Sequence, residues 1–362
     1  MSGHVLVAPD KFKGSLTAPE VAAHLAAGLR EAGHRAVELP VADGGEGTLD
    51  AALAAGFRRR PVTVTGPTGK PVDAAIALRD GTAVVELAAA SGLAQLPDGP
   101  EPMRASSRGT GELVAAALDA GARRIVLGVG GSAGTDGGSG LLSALGARIT
   151  DASGHELPDG GAALARADAV DLGGLDPRLG DVGIVLASDV DNPLLGPAGA
   201  AAVYGPQKGA TPEGVALLDA ALARFAGLVA PDGATLPGAG AAGGVGFAAL
   251  AVLGARRRRG VEVVLELTGF AEQLPGAALV VTGEGALDAQ TLHGKAPAGV
   301  SAAARESGVP VVAVCGRCEL GPAELAGAGI REVHALVDRE PDPARCLREA
   351  GRLLREVGRS LL

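Results

Sequence analysis

The sequence predicts an α/β protein built from two domains. Strand-like and helix-like segments alternate at both ends of the chain, which is the pattern of βαβ units on a parallel sheet. The 362 residues exceed one ordinary hydrophobic core, so two domains are expected. The middle of the chain is less regular than its ends. We therefore expect one domain made from both termini, with a second domain inserted between them.

The N-terminal segments begin this alternation. A strand from His4 to Ala8 leads into a helix whose start is marked by Thr17 and Glu20, the two ends of a capping-box pattern. A second strand, 36–41, leads into a second helix that ends near Leu53. Two strand-helix units in succession predict parallel pairing.

The middle of the chain predicts a hairpin followed by two further strands. Segments 72–78 and 82–87 alternate apolar and polar residues, and the turn-forming residues 79–81 join them. Strands are predicted at 124–128 and 182–187, each followed by a loop that carries glycine or carboxylate side chains.

The alternation returns in the last part of the chain. A strand from Ala277 to Val281 precedes a helix at 296–306 and a strand at 309–314. A further strand is predicted near 331–337, and a closing helix is predicted from Pro343.

Composition and charge exclude several classes of protein. A net charge of −9 argues against a nucleic-acid partner, because such binding needs a basic surface. Two arginine runs, 58–60 and 256–259, are predicted to be solvated helix ends or loops. The N-terminus has no basic and apolar leader pattern, and no apolar run approaches the ~18 residues of a membrane span. A soluble, cytoplasmic protein without a membrane partner is expected, and a homodimer is left open.

Glycine, lysine and carboxylate residues concentrate where predicted strands end. In open α/β sheets ligands bind beyond the carboxyl ends of the strands, where glycine amides and helix N-termini receive anions. Lysine is scarce in this chain, yet four of its five lysines lie in glycine-containing stretches, at 10–15, 205–209 and 293–295. Glycine for close approach, lysine for charge and carboxylates for Mg²⁺ or a proton are the groups that phosphoryl transfer requires. The loops are DKFKGS at 10–15, DGGE at 43–46, GGSAGTDGG at 130–138, DVDN at 189–192 and GEG at 283–285.

Other chemistries have weaker patterns. The chain has no complete G-x-x-x-x-G-K-[ST] sequence, but residues 128–133 imitate the dinucleotide pattern G-x-G-x-x-A after a strand. A nicotinamide-dependent oxidoreductase of a small hydroxy acid therefore stays the alternative function. A non-catalytic sugar-acid binding protein is less favoured, because the chain lacks an export signal and aromatic stacking residues. Cys315 and Cys318 form a C-x-x-C pattern after a strand, but a redox role is disfavoured by surroundings that are not thioredoxin-like.

Taken together, the motifs resemble those of the type I bacterial glycerate kinases. The resemblance runs in order along most of the chain and implies ATP-dependent phosphorylation of D-glycerate with Mg²⁺. Bacterial members of this type generally form 2-phosphoglycerate, so this product is expected. It also implies a Rossmann-like domain, assigned to 1–68 plus 277–362, and an inserted α/β domain, 69–276, with the active site in the cleft between them. The motifs are those at 10–18, 42–48, 130–133, 189–196, 204–210 (YGPQKGA), 240–246 (GAAGGVG) and 282–295 (TGEGALDAQTLHGK).

Two positions depart from the family pattern. Gly134 replaces a threonine after the glycine-serine pair, so a hydroxyl role at this position is in doubt. Tyr204 stands where the family has phenylalanine, which keeps the ring and adds a phenol. Neither change removes an ionisable residue.

The resemblance and the chemistry of glycerate assign roles to individual residues. Glycerate needs a cation or amide site for its carboxylate and a carboxylate base for the attacked hydroxyl, for which Asp189 is the first candidate. Asp136 and Thr291 have an alternative role as helix caps. The catalytic candidates are Asp189, Asp191, Lys208 and Lys295. The metal candidates are Glu284 and Asp288, with Asp43 as a further metal or substrate candidate. The substrate or phosphate candidates are Lys11, Lys13, Ser15, Asp43, Glu46, Gly130, Gly131, Ser132, Asp136, Asn192, Gln290 and Thr291.

Overall fold

The computed structural model describes residues 3–362 and divides into two compact units. Unit 1 contains the described residues up to Asp43, together with Asp50–Gly56 and Arg259–Leu362. Unit 2 contains Gly44–Leu49 and Phe57–Arg258. Met1 and Ser2, which begin the segment considered above for a leader, lie outside the described residues.

These units differ from the expected domains at both junctions. Residues 57–68 group with unit 2, because the strand Arg58–Thr65 pairs along its whole length with the strand Pro71–Arg79. Residues 259–276 group with unit 1, because the helix Gly260–Thr268 buries Val261 and Val264 in a hydrophobic core of that unit.

Unit 1 contains a five-stranded sheet in the order β13-β12-β11-β1-β2, in which every described pairing is parallel. In terms of the strands of this unit alone, the order is 2-1-3-4-5, a doubly wound order with its switch point between the first and third strands. The strands are β1 (His4–Pro9), β2 (Ala36–Glu38), β11 (Ala277–Leu287), β12 (Val311–Cys318) and β13 (Ile330–Ala335). The helices are α1 (Ala18–Glu31), α2 (Thr48–Ala54, which begins in the segment grouped with unit 2), α9 (Gly260–Thr268), α10 (Phe270–Gln273), α11 (Ala296–Glu306), α12 (Pro322–Gly327), α13 (Pro343–Arg348) and α14 (Ala350–Arg359).

Helices cover both faces of this sheet. Successive strand residues point to opposite faces, so Val5 and Val7 join a core with α1 and α14, whereas Leu6 joins a core with α9 and α11. Helix α1 begins with the predicted capping box between Thr17 and Glu20. Burial on both faces explains why these strands are nearly continuous apolar runs.

Unit 2 contains a six-stranded mixed sheet in the order β10-β9-β6-β5-β4-β3 and a separate two-stranded pair, β7-β8. Strands β5, β6, β9 and β10 pair in parallel, and β3 and β4 are antiparallel. The strands are β3 (Arg58–Thr65), β4 (Pro71–Arg79), β5 (Thr82–Glu86), β6 (Arg124–Gly128), β7 (Arg148–Thr150), β8 (Ala169–Asp171), β9 (Gly183–Ala187) and β10 (Arg256–Arg258). The helices are α3 (Ala88–Ser91), α4 (Arg108–Asp119), α5 (Ser139–Ala144), α6 (Ala200–Tyr204), α7 (Pro212–Val229) and α8 (Val245–Phe247).

The predicted hairpin is confirmed. The arginine runs are exposed or partly exposed, as predicted, but only Arg259, the N-cap residue of α9, lies at a helix end. Strands β4 and β5 are joined by Asp80 and Gly81, whose φ angles of 51° and 76° are those of a two-residue hairpin turn. Residues 58–60 and 256–258 lie in strands rather than in helix ends or loops. Both runs belong to the outermost strands of the sheet, where charged side chains can reach solvent.

The C-x-x-C residues cannot form a disulfide in this fold. Cys315 and Cys318 lie in the same strand, β12, three residues apart. Three residues of extended chain span about 10 Å, beyond the reach of a disulfide. Among the described residues, none of the helices combines the length and apolar character that crossing a bilayer requires.

Candidate active site

Four carboxylate side chains of unit 1 lie in or beyond strands that meet near the sheet's switch point. Asp10 follows β1, and its backbone N–H donates to the carbonyl of Gly283 in β11 at 2.8 Å. Glu284 is the next residue of β11, and Asp43 lies beyond β2. We call Asp10, Asp43, Glu284 and Asp288 the carboxylate cluster. Their position is the one where open α/β sheets bind ligands.

Asp10 is the most strongly perturbed acid of this cluster. Asp10 is only 4% exposed, and this burial raises the pKa of its carboxyl to about 7. The negative charges of Asp43 and Glu284 add to the shift. Lys11 opposes the shift, since its ammonium lies 3.7 Å from the Asp10 carboxylate and its backbone N–H donates to the same oxygen at 2.6 Å. Asp10 is therefore poised between its neutral and ionised forms near neutral pH.

Asp10 should make folding stability depend on pH. Its folded pKa of about 7 lies above the model-peptide value of 3.8. The contribution of this group to stability is therefore complete below about pH 4 and is lost as pH rises to about 7. In Asp10→Asn that loss should disappear, so the unfolding free energy of the variant relative to wild type should increase by about 3 kcal/mol between pH 5 and pH 8. Urea unfolding in EDTA at both pH values tests this, and an unchanged difference would contradict it.

Lys295 connects two further members of the cluster. Its ammonium lies 3.7 Å from a carboxylate oxygen of Glu284 and 3.7 Å from one of Asp288. The Thr291 hydroxyl donates to Glu284 at 2.5 Å and accepts from the Asp288 backbone N–H at 3.1 Å. Burial raises the pKa of Glu284, and the Thr291 hydroxyl and the Lys295 ammonium oppose this shift. Thr291 thus organises the two carboxylates in addition to any contact with substrate.

The donor chemistry of the cluster fits a magnesium ion. Within residues 3–362, no group of three or more His, Cys, Asp or Glu side chains has the arrangement of a metal cage. Mg²⁺ does not need one, because it is commonly held by one or two carboxylates, waters and substrate phosphates. Lys11 pairs with Asp10, and Lys295 pairs with Glu284 and Asp288. The negative charges of Asp43 and Glu284 add to the raised pKa of Asp10, and a divalent cation would relieve this repulsion.

The other predicted residues of unit 1 vary in accessibility. Lys13 is exposed, and Lys11 is partly buried beside Asp10. The Ser15 hydroxyl donates to the carbonyl of Leu347 at 2.9 Å, which ties its loop to α13. Gln290 is exposed, and its backbone N–H donates to Asp288 at 2.8 Å. Only Lys11 and Lys13 among these four present a cation that an anion could reach.

In unit 2, the loop after β6 contains close contacts that explain its glycines. A Cβ atom on Gly130 would lie 2.5 Å from the Cα of Gly45, so position 130 cannot carry a side chain where the 44–49 segment passes this loop. Buried Glu86 holds that segment by accepting from the backbone N–H groups of Gly47 and Leu49. Glu46, in the same segment, is exposed.

The loop after β6 also contains Gly131, Ser132 and Asp136. Gly131 is exposed with a φ of 74°, whereas Ser132 is only 8% exposed. The Asp136 side chain is fully buried and accepts from Gly138, Gly140 and both the N–H and the hydroxyl of Ser107. These donors belong to the N-terminal ends of α4 and α5, so the geometry favours the capping interpretation of Asp136.

Lys208 is buried beneath the same loop. Its residue is 2% exposed, and its ammonium donates to the Ser132 hydroxyl at 2.8 Å and to the carbonyl of Gly134 at 2.5 Å. Burial lowers the pKa of Lys208 to about 7, and Asp136 opposes this shift. The ammonium contacts protein groups rather than solvent, so the prediction that it stabilises a transferred phosphoryl group stays a prediction.

The three candidate residues of the acidic loop after β9 differ in their exposure and in their contacts. Asp189 is partly buried two residues beyond the strand, whereas the Asp191 side chain is 73% exposed and forms an ion pair with Arg257. Asn192 donates to the carbonyl of Ala198 at 2.8 Å and accepts from the Tyr204 hydroxyl at 2.6 Å. Of the two carboxylates on this loop, Asp189 is therefore the more buried, and Asp191 is the one paired with Arg257.

Two residues that were not among the predicted site residues lie in these sites. Asp10 belongs to the carboxylate cluster, and its position directly after β1 was a usable signal. Ser107 holds Asp136 across 29 residues of sequence, and no local pattern reports such a contact.

Comparison with known proteins decides the family. Residues 5–362 match the glycerate kinase family. The chain belongs to this family. The glycerate kinase of Bacillus subtilis (strain 168) is 48% identical over 322 residues, covering 86% of this chain and 84% of the relative. The glycerate 2-kinase of Escherichia coli (strain K12) is 45% identical over 322 residues, with the same coverage of both chains.

A solved structure extends the comparison to three dimensions. A crystal structure from Salmonella typhimurium LT2, described as a glycerate kinase 2, superposes with a TM-score of 0.85 at 42% identity. The superposition covers 100% of this chain and 97% of the Salmonella chain. The α/β class and the resemblance inferred from the motifs are confirmed. Because a kinase transfers a phosphoryl group, this member of the glycerate kinase family is a phosphotransferase.

The oxidoreductase alternative is not favoured. A dinucleotide fingerprint requires a helix that starts directly at its last small residue, so that the helix N-terminus faces the pyrophosphate. Here residues 129–138 are not helical, and α5 starts only at Ser139. The imitation at residues 128–133 is therefore a feature of sequence without the matching geometry.

Proposed function

We propose that this chain phosphorylates D-glycerate with ATP as phosphate donor and Mg²⁺ as cofactor, and that the product is 2-phosphoglycerate. The observation that carries the proposal is the carboxylate cluster with Lys11 and Lys295 at the switch point of a doubly wound sheet. This is the combination of charges that phosphoryl transfer needs. The naming of one relative as a glycerate 2-kinase supports the choice of the 2-position.

In the proposed reaction the glycerate hydroxyl oxygen forms a bond to the γ-phosphorus of ATP. The bond from that phosphorus to the β,γ-bridging oxygen breaks, and ADP leaves with the electron pair. Asp189 accepts the hydroxyl proton, and Lys295 offsets charge on the transferred group. Lys11, Lys13 and the exposed amides near Gly131 are proposed to bind phosphate or the glycerate carboxylate.

Glu284 and Asp288 would hold the magnesium ion, with Asp43 as a further candidate. When bound, the ion supplies positive charge to the phosphate oxygens. The protein's own contribution is to keep Glu284 and Asp288 oriented through Thr291. Gln290, Glu46 and the remaining predicted substrate residues stay candidates. A cytoplasmic location and a homodimeric state, both raised by the sequence, stay predictions.

An assay of purified protein tests the proposed function. ADP should form when MgATP and D-glycerate are both present, and omission of glycerate or addition of excess EDTA should abolish its formation. An enolase-coupled assay should give signal without a mutase, because enolase consumes 2-phosphoglycerate, and ³¹P spectra should agree. Absence of ADP formation would contradict kinase activity. A product that needs a mutase before enolase would contradict only the 2-position. Binding of NADH rather than ATP in a fluorescence titration would favour the oxidoreductase alternative.

A further inference from the structure

Residues 204–208 (YGPQK) join two loops of unit 2 through side chains at their two ends. Tyr204 is the last residue of α6, and Pro206–Lys208 form a 3-10 turn. Gly209 ends the turn in the left-handed region with a φ of 87°. We call residues 204–208 the brace. Its backbone is fixed locally, since Lys208 and Ala210 both donate to the carbonyl of Gly205 at 3.0 Å.

The Lys208 end of the brace contacts the loop after β6. Its ammonium donates to Ser132 and to the carbonyl of Gly134, and almost none of the residue is exposed. A buried ammonium is costly unless it is paired and hydrogen-bonded. Its aliphatic stem also passes through protein, so neither end of the side chain is available to a solvent-borne ligand. Lys208 can therefore act on a ligand only through the loop that it holds.

The Tyr204 end of the brace contacts the loop after β9. Its hydroxyl donates to the side-chain oxygen of Asn192 at 2.6 Å, and the Asn192 amide donates to the carbonyl of Ala198 at 2.8 Å. Asn192 is thus held from both ends of its amide. Because Asn192 is three residues from Asp189, this contact restrains the segment that carries the proposed base.

The two loops leave neighbouring strands at the same edge of the sheet. Strands β6 and β9 pair in parallel, with Gly128 opposite Ala187 at their carboxyl ends. The strands fix where the loops start, and Arg257 of β10 holds the loop after β9 by donating to the carbonyl of Val190 at 3.0 Å. The pairing of β6 with β9 does not itself set the distance between the two loops several residues later. The brace spans that distance with one short, locally rigid segment.

We propose that the brace sets the separation of these two loops, and that Tyr204 and Lys208 are positioning residues for the glycerate kinase reaction. The proposal rests on the function proposed above, in which the two loops bind substrate and supply the base. Tyr204 acts through Asn192, and Lys208 acts through Ser132 and Gly134. Neither side chain needs to touch the substrate.

Kinetics of four single variants and two double variants test the two contacts. Tyr204→Phe removes only the hydroxyl and should lower kcat/KM for glycerate about 2- to 10-fold, the range expected for one neutral hydrogen bond. Lys208→Met should lower kcat/KM about 10-fold or more, because a charged donor is removed from buried acceptors. Adding Tyr204→Phe to Asn192→Ala, or Lys208→Met to Ser132→Ala, should cost less than it does in wild type. Lys70→Met is the control, since Lys70 is an exposed lysine paired only with exposed Asp98.

Amide hydrogen exchange tests the brace without relying on activity. Each of Tyr204→Phe and Lys208→Met should speed exchange at least threefold in both loops, 130–134 and 189–196, whereas Lys70→Met should change neither. If each variant loosens only the loop that it contacts, the contacts are independent and the brace is overturned. Unchanged exchange in both loops also overturns it. If exchange behaves as expected but wild type does not phosphorylate glycerate, the proposed function fails while the coupling of the loops stands.

Discussion

Replacing Lys295 with methionine should lower kcat by about 100- to 1,000-fold at saturating MgATP and glycerate, the range for losing one preorganised charge at a transferred group. The ammonium lies 3.7 Å from both Glu284 and Asp288, and 30% of the side chain is exposed. It is therefore accessible to a phosphate while it also neutralises the two acids. Its loss removes the positive charge that offsets the transferred group and breaks the ion pairs with Glu284 and Asp288.

Arginine at the same position should recover only part of this loss. A guanidinium is planar and wider than an ammonium, and it cannot place one compact charge between two acids in the same way. The left-handed Gly294 before Lys295 and the helix α11 after it restrict how far the backbone can adjust. Lys70→Met again serves as the control for loss of a lysine. A Lys295→Met enzyme with kcat within about threefold of wild type would contradict the role of Lys295.

The alternation of strands and helices was predictable because each element carries its own local pattern. Strand β6 and helix α11 have the predicted bounds, since apolar periodicity and flanking glycine define both. Strand β2 is shorter than predicted because only Ala36–Glu38 pair with β1. Strand β11 is longer than predicted because its partner β12 continues beside it as far as Cys318. Strand ends depend on partners that no local pattern reports.

Strand β3 shows a further limit of local pattern. Its first three residues are arginines, which favour solvent and do not predict a strand. The strand forms because β3 pairs with β4. The same dependence on the partner explains the displaced domain boundaries. Residues 57–68 follow helix α2, which ends in unit 1, but their strand β3 pairs with β4 of unit 2.

The candidate site was predictable as a set of loops and less so as a set of roles. Glycines and acids located loops that do follow strands β1, β6 and β9 in the structure, because strand ends are visible in sequence. The solvent exposure of each side chain could not be predicted from the sequence. Asp136 and Lys208 have the same side-chain chemistry as substrate ligands, but both are buried and bonded to protein. Thr291 likewise contacts Glu284. Long-range packing decides which polar groups face a ligand and which support the groups that do.

Replacing Asp189 should lower kcat far more than replacing Asp191, because Asp189 is the proposed base. Asp189→Asn should lower kcat by about 100- to 10,000-fold, the contribution of a positioned general base, with little change in the KM for ATP. Asparagine keeps the shape of the side chain but cannot accept the proton. Asp191→Asn should lower kcat less than about tenfold, because the Asp191 carboxylate is exposed and already paired with Arg257.

The two variants form a matched pair, because the same chemical change is made two residues apart on one loop. A loss of loop structure would affect both, whereas loss of the base affects only one. Single-turnover measurements of phosphoryl transfer exclude product release as the step that changes. If Asp191→Asn shows the larger loss, the base is Asp191 and its pairing with Arg257 must open before transfer. If neither variant loses activity, the base is not on this loop, and Asp10 becomes the carboxylate to test, because its pKa of about 7 is suited to exchanging a proton near neutral pH.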